Sequence, residues 1–291
     1  MSQIFDALHR SGTLIPALDN GETVRDLGMA PFDQVPSLEP EPAALQRLPA
    51  LAGTASIGTE KLRMLATRLV DIQRQKELRT LLITSSIQDE GKSILAANLA
   101  VSLATMQKRV LLLDGDFYES GLSSLLGAEQ FPGLESWWRT NGPVVDYLGK
   151  IKNLPLWLLP AGKPFPQTLE MLQSSRLSNL LDELSGAFDW VVIDSPPLAP
   201  LADASIWARL ADGALLVARL KHTPAKVLTK VIESLDQRKV LGLIVNDCKD
   251  PHLSYYAQYH KNISAQKKPK HQPDANRGFR KAAPLPRKFG S

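Results

Sequence analysis

The sequence predicts an α/β protein with a mostly parallel β-sheet flanked by helices on both faces. Short, continuous apolar segments recur along the chain, and segments with helical periodicity separate them. Strands that are buried on both faces read as continuous apolar runs, and their alternation with helices gives a parallel sheet. Acidic residues directly after two of these strands indicate a site at the carboxyl ends of the strands.

The first part of the chain carries little regular pattern. Residues 3–10 have the spacing of a short amphipathic helix, and a Pro-rich stretch, which we interpret as a linker, extends to about residue 55. A longer helix is expected over residues 59–75. Apolar residues recur there at helical spacing, namely Leu62, Leu65, Leu69 and Ile72.

Strands and helices alternate from residue 80 onward. Strands are expected at residues 80–85, 109–113, 156–159, 190–193, 214–218 and 241–245. The intervening sequence predicts helices over residues 92–106 and 169–184. After residue 250 the pattern gives way to a Lys-, Pro- and Gln-rich sequence, which is typical of a disordered tail.

Composition excludes several classes of protein. The 291 residues, 44% of them hydrophobic, suffice for one large domain. The longest apolar run is shorter than the ~20 residues of a membrane span, and the N-terminus does not resemble a signal peptide. Because Cys248 is the only cysteine, no internal disulfide is expected and a reducing cytoplasm fits. The five histidines have no metal-ligand spacing.

The net charge is +4, but the charged residues are distributed unevenly along the chain. Residues 261–291 contain nine Lys or Arg and a single acid, Asp274. This basic tail could contact an anionic membrane surface, nucleic acid or an acidic partner, or it could simply be solvated. Of these, a nucleic-acid partner is not expected.

A candidate phosphate-binding loop follows the first strand. The sequence SIQDEGKS stands at residues 86–93, where a strand ends and a helix begins. A P-loop requires this order, because its N–H groups and the helix N-terminus bind phosphate. The expected nucleotide-binding residues are Ser86, Ile87, Gln88, Asp89, Glu90, Gly91, Lys92, Ser93 and Ile94.

The loop chemistry points to ATP with Mg²⁺. Lys92 is expected to reach the β- and γ-phosphates, and the Ser93 hydroxyl is expected to bind Mg²⁺. Ser86 replaces the first glycine of the usual motif, so the GKS tripeptide alone leaves an ordinary strand–helix turn open. Asp89 and Glu90 are expected to be largely solvated.

Two later strands end in acids. Asp114 and Asp116 follow the strand VLLL, and Asp194 follows VVI. A single Asp after a strand is often a turn former, but these three should converge near Lys92 if the strands are parallel. Asp116 and Asp194 are candidate Mg²⁺ ligands beside Ser93, and Asp114 or Asp116 would orient an attacking hydroxyl. The candidate catalytic residues are Lys92, Asp114, Asp116 and Asp194.

These motifs resemble those of the bacterial tyrosine kinases, or BY-kinases, of capsule and exopolysaccharide loci. TSSIQDEGKS resembles the Walker A loop of that family, LLLDGD its second Walker motif and VVIDSPP its Walker B motif. The segment EKLR resembles the start of the helix that family members use to assemble rings. The resemblance covers roughly residues 57–262 and implies a P-loop NTPase fold of the MinD/ParA kind.

The resemblance implies an ATP-dependent protein-tyrosine autokinase that regulates polysaccharide chain length and export. A tyrosine cluster near the C-terminus of the family is phosphorylated in trans, and Tyr255, Tyr256 and Tyr259 match it. By resemblance to related ATPases, Asn246 would contact the adenine, although a plain turn residue explains it equally well.

The resemblance also implies partners and a location. The partners would be other copies of the chain and a membrane-anchored polysaccharide co-polymerase, which would hold this cytoplasmic protein at the inner face of the plasma membrane. We divide the chain into an N-terminal segment with a linker at 1–56, a P-loop kinase-like ATPase domain at 57–250 and a tyrosine cluster with a basic tail at 251–291.

Departures from the family pattern leave two alternatives open. The family has an Arg after the DxD motif, which is Asp114-Gly115-Asp116 in this chain, but Phe117-Tyr118-Glu119 stands there instead. Ala66 stands at the spacing of the second Arg in the assembly helix. A non-catalytic, ATP-binding regulator of the export complex is therefore one alternative. A MinD/ParA-like positioning ATPase is the other, although Ile87 replaces the extra Lys that those proteins carry.

Overall fold

An eight-stranded β-sheet organises the protein in a computed structural model, which describes residues 30–40, 42–54, 56–119, 121–199 and 202–248. In that part of the chain the spatial order of the strands is β1-β4-β5-β3-β6-β2-β7-β8. The strands are β1 (Ser37–Leu38), β2 (Thr80–Ser85), β3 (Val110–Asp114), β4 (Gly149–Ile151), β5 (Leu156–Leu159), β6 (Trp190–Asp194), β7 (Gly213–Arg219) and β8 (Val240–Asn246).

The sheet is mostly parallel, as the sequence predicts. The strands from β5 to β8 along that order all pair in parallel, whereas β4 pairs antiparallel with β5, and β1 pairs parallel with β4. Every residue of β2, β3, β5 and β6 is buried. These strands need helices on both faces, which explains their uninterrupted apolar sequences.

Helices cover both faces of the sheet. One hydrophobic core contains Leu69 and Leu99, and the other contains Leu181 and Trp207. The described helices are α1 (Ala30–Asp33), α2 (Pro42–Leu45), α3 (Ile57–Gln75), α4 (Lys92–Thr105), α5 (Gly121–Leu125), α6 (Leu134–Thr140), α7 (Thr168–Gln173), α8 (Ser175–Ala187), α9 (Ala202–Leu210) and α10 (Ala225–Ser234), together with a 3₁₀ helix (Val144–Tyr147). Within the described ranges, each helix is too short or too polar to cross a membrane.

Two helices differ from the expected boundaries for local reasons. Helix α3 begins before residue 59, because the Ser56 hydroxyl caps it by accepting a hydrogen bond from the N–H of Thr59 at 3.1 Å. The single helix expected over residues 169–184 is wrong. Ser174 adopts an extended conformation and caps α8 by accepting from the N–H of Leu177 at 3.2 Å, so the segment forms α7 and α8.

Part of the segment interpreted as a linker packs onto the sheet. Phe32, Leu38 and Leu48 are buried, and the N–H of the Trp157 indole donates to the Phe32 carbonyl at 2.6 Å. These isolated apolar residues join the two hydrophobic cores and leave no periodic signal in the sequence. The division of the chain at residue 56 stays a prediction, and the helix expected at residues 3–10 lies outside the described residues.

Candidate nucleotide and metal site

The candidate phosphate loop connects β2 to α4 at the carboxyl edge of the sheet. Gly91 precedes the helix with a left-handed φ of 89°, which favours glycine. A Cβ at this position would also collide with the side-chain amide of Asn246. The first N–H groups of α4 have no partner within the helix, so this end of the loop presents donors suited to phosphate.

Lys92, the first residue of α4, forms a buried ion pair with Asp116. Its Nζ lies 3.2 Å from Oδ2 of Asp116, and the two side chains are 8% and 2% exposed. Burial alone would lower the pKa of Lys92. The carboxylates of Asp194, Asp116 and Glu119 outweigh burial and raise this pKa, so the ammonium stays charged.

Asp114 and Asp194 face each other across neighbouring strands. They are register partners at the ends of β3 and β6, and both side chains are buried. Burial and then the Asp194 carboxylate raise the pKa of Asp114 well above its ordinary value. Both Asp114 oxygens accept hydrogen bonds, one from the Ser123 hydroxyl at 3.0 Å and one from the N–H of Asp116 at 3.2 Å.

Asp194 has no such support. In the described part of the chain neither of its carboxylate oxygens accepts a hydrogen bond, although both are buried. Burial raises its pKa to about 7, against the lowering influence of Lys92 and of the nearby Ser93 hydroxyl, which does not reach hydrogen-bond geometry. An unpartnered carboxylate beside a hydroxyl needs a cation or a proton.

Mg²⁺ fits these residues. Asp194 and Ser93 supply hard oxygen donors next to Asp116, and Mg²⁺ in nucleotide sites takes one or two carboxylates together with phosphate oxygens. The described residues contain no group of three or more His, Cys, Asp or Glu side chains that would hold a metal alone.

The two acids inside the loop differ from each other. Asp89 is exposed, as predicted, but the expectation that Glu90 is solvated is wrong, because its side chain is only 1% exposed. Its carboxylate accepts hydrogen bonds from the N–H groups of Ser86 and Ile87, at 2.7 and 3.0 Å, and from the Thr223 hydroxyl. The sequence between residues 86 and 93 gives no sign of this distant partner.

The remaining loop residues take different environments. Ser86 is fully buried, and its hydroxyl has no hydrogen-bond partner among the described residues. Gln88 is exposed and donates to Oε1 of Glu119 at 3.0 Å. Ile87 and Ile94 are half-buried.

Asn246, expected near the adenine, supports the loop from β8. Its side-chain amide donates to the Glu90 carbonyl at 3.1 Å, and its Oδ1 accepts from the N–H of Asp247 at 2.8 Å. The adenine contact stays a prediction.

The sequence did not predict the contacts that hold the DxD motif in place from α9 and β6. The indole N–H of Trp207 donates to the Gly115 carbonyl at 3.1 Å, and the N–H of Gly115 donates to the Asp194 carbonyl at 2.7 Å. Asp203 is buried one turn earlier in α9, and burial together with its carboxylate raises the pKa of Tyr118. The sequence of α9 gives no signal for these individual contacts.

The predicted phosphoacceptors Tyr255, Tyr256 and Tyr259 lie outside the described residues. Of the tyrosines that are described, Tyr118 is 57% exposed beside the DxD motif. Tyr147 is buried, and its hydroxyl is hydrogen-bonded to that of Thr140.

Known proteins share this fold and these motifs. A family model described as ParA, NUBPL iron-transfer P-loop NTPase, matches residues 78–264. The chain is 37% identical over 191 residues to the succinoglycan biosynthesis transport protein ExoP of Rhizobium meliloti (strain 1021). That alignment covers 63% of this chain and 24% of ExoP. It is 31% identical to the tyrosine-protein kinase YwqD of Bacillus subtilis (strain 168), over 72% of this chain and 90% of YwqD.

A solved kinase domain has the same architecture. The kinase domain of the Escherichia coli tyrosine kinase ETK aligns with a TM-score of 0.62 at 26% sequence identity, over 66% of this chain and 77% of that domain. The chain thus spans about a quarter of the length of ExoP but most of the length of YwqD.

Proposed function

Since this chain belongs to the bacterial tyrosine-kinase family of ParA-like P-loop NTPases, we propose that it is an ATP-dependent protein-tyrosine autokinase. It would regulate the chain length and export of an exopolysaccharide or capsule. The name of ExoP, a succinoglycan biosynthesis transport protein, supports the link to polysaccharide export. The observation that carries the proposal is the buried pair of Lys92 and Asp116 beside the unpartnered Asp194, at the N-terminus of α4.

The proposed reaction moves the γ-phosphoryl group of ATP to a tyrosine oxygen. The bond from the γ-phosphorus to the bridging oxygen of ADP breaks, a bond to the tyrosine oxygen forms, and the hydroxyl proton is released to water. Positioning and charge neutralisation carry most of this chemistry. Lys92 would neutralise charge on the phosphates, and the loop N–H groups would orient them.

The contacts of the acids support a division of their roles. Asp114 has both oxygens engaged and no exposed surface, so we assign it to holding Asp116 and Ser123 in place. Asp116 would orient the attacking hydroxyl. Ser93 and Asp194, with Asp116, would hold Mg²⁺, which supplies further charge neutralisation at the phosphates.

We also propose that the kinase works in an assembly. Glu60 and Arg63 of α3 form an exposed ion pair at 2.5 Å in the segment that resembles the family's assembly helix. Other copies of the chain would contact this helix, and a membrane-anchored polysaccharide co-polymerase would hold the assembly at the inner face of the plasma membrane.

A non-catalytic ATP-binding regulator is the second candidate function. It is favoured by Tyr118, an exposed tyrosine in the segment where the family has an Arg. A positioning ATPase is disfavoured, because Ile87 replaces the extra Lys of that class.

Labelled ATP distinguishes the two candidates. The purified protein is incubated with γ-labelled ATP and Mg²⁺, and phosphotyrosine is mapped by mass spectrometry, with Lys92→Ala as the inactive control. Label on tyrosine in the unmodified protein alone supports the kinase. ATP binding without any phosphotyrosine, even after the cytoplasmic segment of a cognate co-polymerase is added, supports the regulator.

A further inference from the structure

Glu90 is a buried charge that the proposed reaction does not use. Its neighbour Asp89 is exposed, whereas the Glu90 side chain is 1% exposed inside the phosphate loop. A buried carboxylate is costly unless hydrogen bonds compensate for lost water, and here three donors do so. This residue therefore has a defined partner set, which a solvated loop acid would not need.

One oxygen of Glu90 fixes the start of the loop. Its Oε2 accepts from the N–H of Ser86 at 2.7 Å and from that of Ile87 at 3.0 Å. Hydrogen bonds to an ionised carboxylate are roughly twice as strong as neutral ones. These two N–H groups lie at the β2 end of the loop, so Glu90 does not compete for the donors at the start of α4.

The other oxygen connects the loop to a different strand. Oε1 of Glu90 accepts from the Thr223 hydroxyl, and Thr223 Oγ1 accepts in turn from the N–H of Arg219 at 2.8 Å. Arg219 ends β7, the neighbour of β2 in the sheet. Asn246, at the end of β8, holds the Glu90 carbonyl from the same side at 3.1 Å.

We propose that Glu90 is a positioning residue for the nucleotide, and that Thr223 is the partner through which the β7–α10 loop sets the shape of the phosphate loop. This inference rests on the proposed nucleotide site. It gives the β7–α10 loop an indirect part in phosphate binding, through Glu90. Without the Thr223 contact, the loop amides would spread over several arrangements, and ATP would have to select one of them.

The test compares threonine variants by calorimetry with ATP·Mg²⁺. Thr223→Val keeps the shape but removes the hydroxyl, so we expect about ten-fold weaker binding, the loss typical of one hydrogen bond to a charged group. Thr223→Ser restores the hydroxyl and should bind within about two-fold of the unmodified protein. Thr229→Val is the matched control, because the Thr229 hydroxyl bonds only its own helix at Ala225, and it should bind unchanged.

Further measurements separate positioning from plain stability. Glu90→Gln combined with Thr223→Val should cost no more than the larger single effect, because both remove one contact. Binding of Thr223→Val that equals the unmodified protein would overturn the proposal. The proposal would also be overturned if the loss of ATP·Mg²⁺ affinity among the variants paralleled a fall in their thermal unfolding temperature and Thr223→Ser did not restore the affinity.

Hydrogen exchange keeps the two proposals distinguishable. Without nucleotide, the amides of Ser86 and Ile87 should exchange faster in Thr223→Val than in Thr229→Val. If the unmodified protein does not bind ATP·Mg²⁺ at all, the proposed function fails whatever the exchange shows. If it binds and these amides exchange at equal rates in both variants, the link from Thr223 to the phosphate loop fails alone, and the proposed function stands.

Discussion

The ammonium nitrogen of Lys92 lies 3.2 Å from Oδ2 of Asp116, with both side chains almost completely shielded from water. Asp194 contributes further to the charged state of Lys92. One lysine thus lies close to two buried acids before any nucleotide binds, and it forms an ion pair with only one of them, Asp116. Phosphate oxygens that approach this lysine add more negative charge, so the site needs a second cation when ATP is bound.

Replacement of Lys92 is expected to abolish ATP binding or turnover while the fold is kept. In Lys92→Ala, the phosphates and the two carboxylates would meet without the ammonium, at a cost of about 2 kcal/mol or more in binding. Calorimetry with ATP·Mg²⁺ measures the loss, and circular dichroism checks the fold. Lys230→Ala, at an exposed lysine of α10, is the control. Unchanged affinity of Lys92→Ala would remove this residue from the site.

The stability of the nucleotide-free protein should fall as pH rises from about 4 to about 7. Burial raises the pKa of Asp194 from 3.8 to about 7, so the folded form keeps a proton that the unfolded form releases. The free energy of unfolding then decreases through this window, by up to about 4 kcal/mol, and levels off above it.

Urea unfolding with a chelator, measured between pH 4 and 8, tests this slope. Asp194→Asn should flatten it, and any remaining slope of the same sign would come from Asp114, whose pKa is also raised. A free energy of unfolding that rises across this window would contradict the assignment.

Gly115 and Gly186 should respond oppositely to a methyl group. A Cβ on Gly115 would lie 2.8 Å from the indole nitrogen of Trp207 and 2.9 Å from the Asp194 carbonyl, so the DxD segment must move. We expect Gly115→Ala to cost about 1–3 kcal/mol and to weaken ATP binding. Gly186, within α8, has no atom within 4 Å of the added methyl, and Gly186→Ala should stabilise by about 0.5–1 kcal/mol. Chemical denaturation of both variants measures this difference, and equal effects would refute it.

The strands and the acid cluster could be predicted because their signals are local. Each of the expected strands ends within one residue of its observed limits, since each is a continuous apolar run between turns. The convergence of Asp114 and Asp194 then follows from parallel pairing alone.

The unpredicted features depend on distant contacts. Buried Glu90 accepts a hydrogen bond from Thr223, which is 133 residues away in the sequence, and nothing in the loop sequence reveals that partner. Phe32, Leu38 and Leu48 join the hydrophobic cores as single apolar residues without a repeat. The break at Ser174 had a local signal, a serine able to cap a helix, but the surrounding apolar periodicity obscured it.

The isolated protein is expected to be a slow kinase that a partner accelerates. Ala66 is buried at the spacing of the second assembly arginine, so α3 offers fewer charged contacts to a neighbouring copy. Weaker assembly means fewer encounters between one copy's acceptor and another copy's ATP. Adding the cytoplasmic segment of a cognate co-polymerase should raise the rate of phosphotyrosine formation. Full activity in dilute solution without that segment would count against this prediction.

Tyr255, Tyr256 and Tyr259 are expected to be the phosphoacceptors. They form a cluster in a chain with only five tyrosines. The other two are poor alternatives for different reasons. Tyr147 is buried and hydrogen-bonded to Thr140, and burial together with the Asp203 carboxylate raises the pKa of Tyr118, which makes its hydroxyl harder to deprotonate.

Phosphorylation of this cluster would change the charge of the sequence that follows it. Lys261, Lys267, Lys268 and Lys270 lie directly downstream. Each phosphate adds about −1.5 to −2 charges at neutral pH, so a few modifications would offset this basic run. If the run holds an acidic surface of a neighbouring copy, phosphorylation should loosen the assembly, and sedimentation of the two forms would show it.

Substituting all three tyrosines by Phe tests the acceptor role directly. Phe keeps the ring and removes only the oxygen that would receive the phosphoryl group, so the triple variant should lose its phosphotyrosine signal. Its affinity for ATP·Mg²⁺ should be unchanged, because the proposed site lies among Lys92, Asp116 and Asp194. Tyr118→Phe, made separately, is the matched control and should keep the signal. A signal that persists in the triple variant and maps to Tyr118 would refute the assignment, because it would place the acceptor beside the DxD motif of the chain itself.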